Sequence, residues 1–504
     1  MSMPERVLII GAGVSGLSVG CYLQMNGFQT EIFEMHNLPG GVCTAWKRNG
    51  YTFDACIHWL MGSGPTANMH RMWRELHAVQ GRQFVEWDEY MRVRTSDGQT
   101  FTVYTDPYKL EAEMLRLAPK DGELIWRLCS AIRRLSCVDM PVTSEKMGLF
   151  ERLGYLLPWV RLGPTMRTWG SMNVQTFCSR LKSRALAEAF GILYGGEGGG
   201  MPDFPMIGFV MMLAFMHKKS CGYPIGGSLE FARAIERRYL ELGGRIHYSS
   251  RVDKILVEQD RAVGILSGGQ EHRADAVISC ADGHATLFEM LGGRYLSPVQ
   301  RAAYETYPVF PSLIYVGLGI ARDLRNRPAA TVFPLRKPIT LEDGALTLKR
   351  LGVRLFHFDP TTAPEGKTAA IVMIESRSLA WWSGLRKDDP ERYRAEKRKV
   401  GELVVEALET ELGGIKPYVE VVDVATPATW HRYTGNWQGS YEGFLPTRKT
   451  MMKNLGFTVP GLADFYMHGQ WVSLGGGLPP AGMNGRALAK LLCRKHGKKF
   501  TASE

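Results

Sequence analysis

The opening of the chain switches between two hydrophobic periodicities. Arg6 to Ile10 is a short apolar run rich in branched side chains and reads as a buried strand. Leu17, Val19, Tyr22 and Leu23 then recur at helical spacing up to Asn26-Gly27, a pair suited to a helix C-terminus. Thr30-Glu31-Ile32-Phe33-Glu34 predicts a second strand that closes on an acid. Beyond about residue 75 helical spacing dominates, in Leu110 to Leu117 and Leu124 to Leu135. Leu149 to Trp169 mixes Leu153, Tyr155, Leu156, Leu157, Trp159, Val160 and Leu162 with arginines, which suits an amphipathic pair at a membrane surface or a core-facing helix equally. Strand and helix return from Gly226 to Gly292, including the run Ala276 to Ala281. From 293 to 455, strand-like runs (Ser312 to Ile320, Ala369 to Glu375, Tyr418 to Thr426) accompany a charged helix from Arg392 to Leu412. Strands with helices and no glycine fingerprint suggest a separate domain of mixed or antiparallel sheet.

The glycines between the first strand and helix turn this pattern into chemistry. Gly11-Ala12-Gly13-Val14-Ser15-Gly16 follows a strand, opens a helix, and precedes Glu34 by about 20 residues, the context of a dinucleotide fingerprint. Gly11 permits the tight turn, Gly13 lets backbone approach a pyrophosphate, and Gly16 lets helix and strand pack closely. The helix N-terminus at Val14 and Ser15 offers unpaired N–H groups to phosphate. Glu34 accepts from ribose hydroxyls and repels a 2′-phosphate, which disfavours NADP. Gly40 and Gly41 bring backbone near a further face of the cofactor, followed by Thr44. A second glycine-rich segment, Gly475-Gly476-Gly477-Leu478-Pro479-Pro480-Ala481-Gly482-Met483, lies near the other end of the chain. A dinucleotide clamped by both ends of so long a chain is more consistent with FAD than NAD. Gly195 to Gly200 reads as a flexible loop rather than a second phosphate cradle, so the flavin's redox partner is expected to be O2, a quinone or a protein.

With these motifs the sequence resembles the FAD-dependent phytoene desaturase, carotenoid isomerase and retinol saturase family, within the amine-oxidase-like flavoproteins. The resemblance is carried by the fingerprint through Thr44, by Gly50-Tyr51-Thr52-Phe53-Asp54 with His58-Trp59, by Gly222-Tyr223-Pro224-Ile225-Gly226-Gly227-Ser228-Leu229, by Asp423 to Gly435, and by Gly469-Gln470-Trp471 through Arg486. It implies an α/β protein: a discontinuous Rossmann-like FAD-binding domain (1–75, 222–292 and 456–504) with a substrate domain of mixed or antiparallel sheet plus helices (76–221 and 293–455). A membrane-facing helical part would fall at 147–216. The resemblance also implies that Val252 meets the adenine through its backbone, that Gly469, Gly476, Gly477 and Leu478 wrap the flavin end, and that Gly482 and Met483 lie beside the ring. Gly469-Gln470 stands where many relatives have Gly-Asp, and no motif supplies the flavin-side lysine of amine oxidases. The implied activity is desaturation, saturation or cis/trans isomerisation of a polyene or isoprenoid such as a carotenoid or retinoid. An amine-oxidase-like FAD oxidase of a small polar substrate and a non-catalytic lipid or carotenoid carrier are the alternatives. Candidates for catalysis are His58, Trp59, Tyr433 and Tyr441, each of which also has a packing explanation.

Composition narrows this further. The 504 residues are 45% apolar and 22% charged, an ordinary folded balance. The net charge of +11 includes basic runs at Arg392 to Lys399 and Arg494 to Lys499. These fit solvated helix faces or attraction to an anionic membrane; no nucleic-acid motif accompanies them. Nine scattered cysteines without a CxxC suit reduced thiols in a cytoplasmic protein, peripheral at most on the inner face of a membrane. Cys43 reads as a buried neighbour of the cofactor rather than a redox thiol. No leader or 18-residue apolar run is seen, and no metal-ligand spacing occurs. Met201 to Met216 carries five methionines and three phenylalanines, suited to an adaptable apolar lining or to ordinary core.

Overall fold

The computed structural model describes residues 5–139, 157, 160–194, 201–450, 453 and 455–504. Its first layer is a five-stranded parallel sheet assembled from distant segments. The order is Arg245–His247, Gln29–Phe33, Arg6–Ile10, Ala276–Ser279, Phe465–Met467. Alternation along Arg6–Ile10 decides what covers each face. Val7 and Ile9 pack with the helices Val14–Met25, Gly227–Glu241 and Leu478–Lys495. Leu8 and Ile10 pack with the antiparallel meander Val252–Glu258, Arg261–Ser267, Gln270–Arg273. Both faces are covered, which is why these strands read as continuous apolar runs.

The second layer is a seven-stranded sheet in the order Val419–Ala425, Ser312–Ile320, Thr368–Ser376, Leu346–Leu355, Ala330–Leu341, Glu89–Arg94, Thr100–Tyr104. All its pairings are antiparallel except that of Ala330–Leu341 with Glu89–Arg94. Ile314, Val316 and Leu318 face the helices Leu379–Asp388 and Pro390–Leu408, while Tyr315 joins the core on the opposite face. The hairpin Ala45–Arg48 with Tyr51–Asp54 bridges the layers. Gly317 and Gly319 lie directly under the rings of Phe53 and Tyr51, where any Cβ would enter the ring. The hairpin therefore seats flat on the second sheet while its start adjoins the glycine-rich loop of the first.

Helices Pro107–Leu117 and Gly122–Ser136 form where the apolar spacing places them, the first capped by Asp106, whose carboxylate accepts from the N–H of Tyr108 and Lys109. The helix Met206–His217 is hydrophobic on every side and sits in the core. A helix with no polar face packs inside a large core, so this part of the expected membrane-facing segment is interior. Residues 147–156, 158 and 159 of that segment, and Gly195 to Gly200, lie outside the described residues. The basic C-terminal segment folds back on the first layer. Lys495 pairs with Asp464, His496 with Glu5, and the Lys498 ammonium stands 3.9 Å over the Phe28 ring. Among the described residues no helix is long and apolar enough to cross a membrane.

Candidate functional site

The turn after the first strand is built by close approach. Gly11 has φ +97°, and a Cβ there would press on the Cys280 carbonyl; a Cβ on Gly16 would overlap the Gly11 carbonyl oxygen. The helix Val14–Met25 that follows has no side-chain cap and no acid in its first turn, so its first N–H groups and partial positive charge face outward from Gly13. Glu34 ends the second strand beside them. Its carboxylate accepts from the N–H of Ala12 (2.7 Å) and His36 (2.8 Å). Burial raises its pKa, and those backbone bonds work in the opposite direction.

A second uncapped helix N-terminus meets the first. Leu478–Lys495 starts after Gly477 (φ +82°), again with no acid in its first turn. The Ser18 hydroxyl donates to the Ala481 carbonyl (2.7 Å) and stitches the two helices together. Deeper in, the Arg486 guanidinium donates to Glu75 (2.9 Å), which also accepts from the Tyr22 hydroxyl (2.9 Å).

Between these elements runs a cavity of about 1540 Å³. This exceeds the roughly 300–1,000 Å³ of a site for one drug-sized ligand. One end is walled by Gly11, Gly13, Val14, Ser15, Glu34, Gly40, Gly41 and Val252, and the middle by Gly469, Gly476, Gly477, Leu478 and Met483. The remaining wall is largely apolar, with Met91, Ile192, Leu193, Met201, Leu348 and Met373 drawn from the seven-stranded sheet and its neighbours, and Arg350, paired with Glu188, among them. Arg386 and Lys387 are exposed at its rim.

Three of the residues expected to touch a cofactor stand outside this wall. Gly16 packs the helix onto the turn. Thr44 precedes the hairpin in a turn, its N–H donating to the Val42 carbonyl and its carbonyl accepting from the Ala55 N–H (3.0 Å each). Gly482 faces Met72 and Trp73 on the helix Asn68–Glu75, because the C-terminal helix has turned that position away. Of the methionines in Met201 to Met216, Met201 alone lines the cavity; the others are core.

His58, Trp59, Tyr433 and Tyr441 all line the cavity, though not together. Tyr433 is exposed near the Glu34 end, its ring edge-on to His36 at 4.7 Å. Tyr441 is deep, against Phe310 at 5.1 Å, and burial with the Glu375 charge pushes its phenol well up. His58 Nε2 is buried without a partner among the described residues. Burial and the Arg354 charge hold its imidazole neutral, far below its ordinary pKa.

Sequence reasoning missed three carboxyls in the wall, Asp282 buried and Glu375 and Glu442 half-buried. Burial pushes Glu442 up to about 8 and Asp282 to about 7, and also raises Glu375. Asp282 follows the strand Ala276–Ser279 as Glu34 follows Gln29–Phe33, and accepts from the N–H of Ala285 and Trp437 (2.8 Å each). That acid after a buried strand was the available signal. Glu442 stands against Gly476 and Gly477, and nothing local marks it. Among the described residues no group of three or more metal-ligating side chains is gathered. The one lysine of the cavity wall, Lys387, is at the exposed rim, not beside the glycine loops.

The wall fits a dinucleotide: an uncapped helix N-terminus at Val14, glycines in both segments that admit a backbone-close ligand, and Glu34 at the ribose position of the motif. Comparison with known proteins agrees. Residues 9–76 match the family of NAD(P)-binding Rossmann-like domains. The chain is 26% identical over 522 residues to a 4,4'-diapophytoene desaturase (4,4'-diapolycopene-forming) of Methylomonas sp, covering 99% of this chain and 97% of that one. It is also 26% identical over 469 residues to prolycopene isomerase 1, chloroplastic, of an Oncidium hybrid cultivar, covering 88% and 75%. The fold resembles that of an oxidoreductase from Methanosarcina mazei, with TM-score 0.60, 17% identity, and 96% and 100% of the two chains covered.

Proposed function

We propose that this protein is an FAD-dependent oxidoreductase of the phytoene desaturase and carotenoid isomerase type, acting on carbon–carbon bonds of a hydrophobic polyene. One observation carries the reading: a single cavity joins a dinucleotide cradle to an apolar chamber. FAD, when bound, supplies the hydride or electron chemistry. Gly13, Val14 and Ser15 would present N–H groups to its pyrophosphate, Glu34 would accept from a ribose, Val252 would lie by the adenine, and Gly476, Gly477, Leu478 and Met483 would border the flavin end. The apolar wall excludes water and orients a long chain by area rather than by polar contacts. His58 stays neutral, and Glu442 keeps its proton near neutral pH, so a proton can be held at its carboxyl beside Gly476 and Gly477. Arg386 and Lys387 give the opening a positive rim, suited to an anionic membrane surface in which such a substrate dissolves. The electron partner, O2, a quinone or a protein, comes from outside the chain.

The test is anaerobic mixing of the flavoprotein, oxidised and pre-reduced, with a panel of polyenes, recording flavin spectra and product masses. Loss of two hydrogens means desaturation, gain of two means saturation, and altered geometry at constant mass means isomerisation. Failure to bind FAD, or no product from any polyene alongside peroxide release with small amines, would overturn the reading. Met373→Lys places a charge in the apolar wall. It is expected to abolish polyene turnover while the flavin spectrum is retained.

A further inference from the structure

All described cysteines are free thiols, but two of them face each other in the cavity wall. The hairpin pairs Arg48 with Tyr51, Lys47 with Thr52, Trp46 with Phe53 and Ala45 with Asp54. Its two-residue turn, Asn49 (φ 46°) and Gly50 (φ 85°), closes on the hydrogen-bonded pair Arg48–Tyr51. The ladder ends at Ala45–Asp54; beyond it the Ala55 N–H still donates to the Thr44 carbonyl (3.0 Å), while the Thr44 N–H turns to the Val42 carbonyl and the Cys43 N–H to the Gly40 carbonyl (3.0 Å each). That turn brings the Cys43 side chain against Cys56, just beyond the open end of the hairpin.

The two thiols interact, and both line the cavity beside Gly40 and Gly41. They are not equivalent. Cys43 is fully buried, and its thiol donates to the Ser228 carbonyl (3.3 Å). Contact with Cys56, burial and the neighbouring Asp54 charge push it well up. Cys56 is half-buried and open to the cavity. A buried thiol with a raised pKa is shielded from an external oxidant, so the accessible Cys56 reacts first and Cys43 follows only within the contact.

We propose that Cys43 and Cys56 form a reversible dithiol–disulfide couple in the wall of the cofactor cleft, oxidised by a low-molecular-weight disulfide. Cys56 loses its proton to solvent and its sulfur attacks the oxidant, whose S–S bond breaks and releases one small thiolate. Cys43 then gives up its proton and attacks the Cys56 sulfur of the mixed disulfide, expelling the second small thiol. Two cysteine thiols are oxidised, and one small disulfide is reduced to two thiols that take up the two protons. The bond staples the open end of the hairpin where it adjoins Gly40 and Gly41. Sequence alone reads Cys43 as a packing thiol because its partner is brought in by the turn ahead of the hairpin, not by a motif spacing.

The holoprotein is incubated with oxidised glutathione, remaining thiols are alkylated, and peptides are mapped by mass without reduction. The expected product is a Cys43–Cys56 linked peptide that dithiothreitol reverses. Cys43→Ser is expected to stop at a glutathione adduct on Cys56, and Cys56→Ser to leave Cys43 unmodified. Wild-type protein in which both thiols remain alkylatable, or in which either bridges a different cysteine, would overturn the proposal. The wild-type map decides the matter even where a variant fails to fold, and flavin absorbance reports the folding of each variant.

Discussion

Arg486→Met cuts the link between the C-terminal glycine segment and the N-terminal layer. The Arg486 and Glu75 side chains are 8% and 1% exposed, and their contact is 2.9 Å. Removing one partner of a buried ion pair typically costs about 3–5 kcal/mol, because the other charge is left buried. Two features set the expectation at the lower end. The Tyr22 hydroxyl still donates to Glu75, and Arg71, half-exposed, stands 3.4 Å from the same carboxylate. Met keeps an apolar side chain in the place where the Arg486 guanidinium lies over the Tyr22 and Phe500 rings. A loss of ~3 kcal/mol corresponds to more than a hundredfold in the folding equilibrium. The double variant Arg486→Met with Glu75→Gln removes the orphaned charge and keeps an acceptor for Tyr22, so it is expected to recover to within about 1 kcal/mol of wild type. Urea midpoints read by tryptophan fluorescence, with flavin release followed in parallel, measure both. A single variant within about 1 kcal/mol of wild type, or a double variant as unstable as the summed singles, would refute the reasoning.

Two further outcomes follow from the wall of the cavity. Glu34→Ala removes a charged acceptor, and such hydrogen bonds contribute about 1.5–3 kcal/mol; FAD affinity by equilibrium dialysis should fall between roughly tenfold and somewhat above a hundredfold, and unchanged affinity would exclude a ribose contact. Glu442 has its folded pKa raised to about 8 by burial, so it binds a proton in the folded state that the unfolded chain has lost. Its contribution to stability is present below the ordinary carboxylate range and is lost as pH rises through about 8. Glu442→Gln should therefore match wild type near pH 5 and gain on it by pH 9 in urea midpoints, whereas parallel pH profiles would show that Glu442 ionises normally.

Much of the dinucleotide end was legible in order along the chain. Arg6 to Ile10, Gly11 to Gly16 and Glu34 specify a strand, a turn and an acid within one local unit, and the structure places them as their spacing requires. The Gly475 to Met483 segment was legible as a second glycine clamp, but the direction of Gly482 was not. That depends on how the helix Leu478–Lys495 rotates against Val14–Met25 and Asn68–Glu75. The Met-rich segment was open between lining and core because flexible apolar side chains suit both, and only its neighbours decide for core along most of it.

What the sequence determined by itself is local: periodicity, the positive-φ turn at Gly11, the uncapped helix start, and the acid that closes a strand. These depend on residues within a few turns of one another. What the tertiary structure decided is everything paired across long separations. Glu75 finds Arg486 across 411 positions, and Glu442 loses its water under Gly476 and Gly477. The apolar part of the cavity is lined by strand residues such as Leu348 and Met373 together with Ile192 from a distant helix. Cys43 and Cys56 come into contact where the chain turns into the hairpin beside Gly40 and Gly41. Desolvation and pairing depend on what surrounds a group in space, and for these residues that surrounding comes from remote parts of the chain.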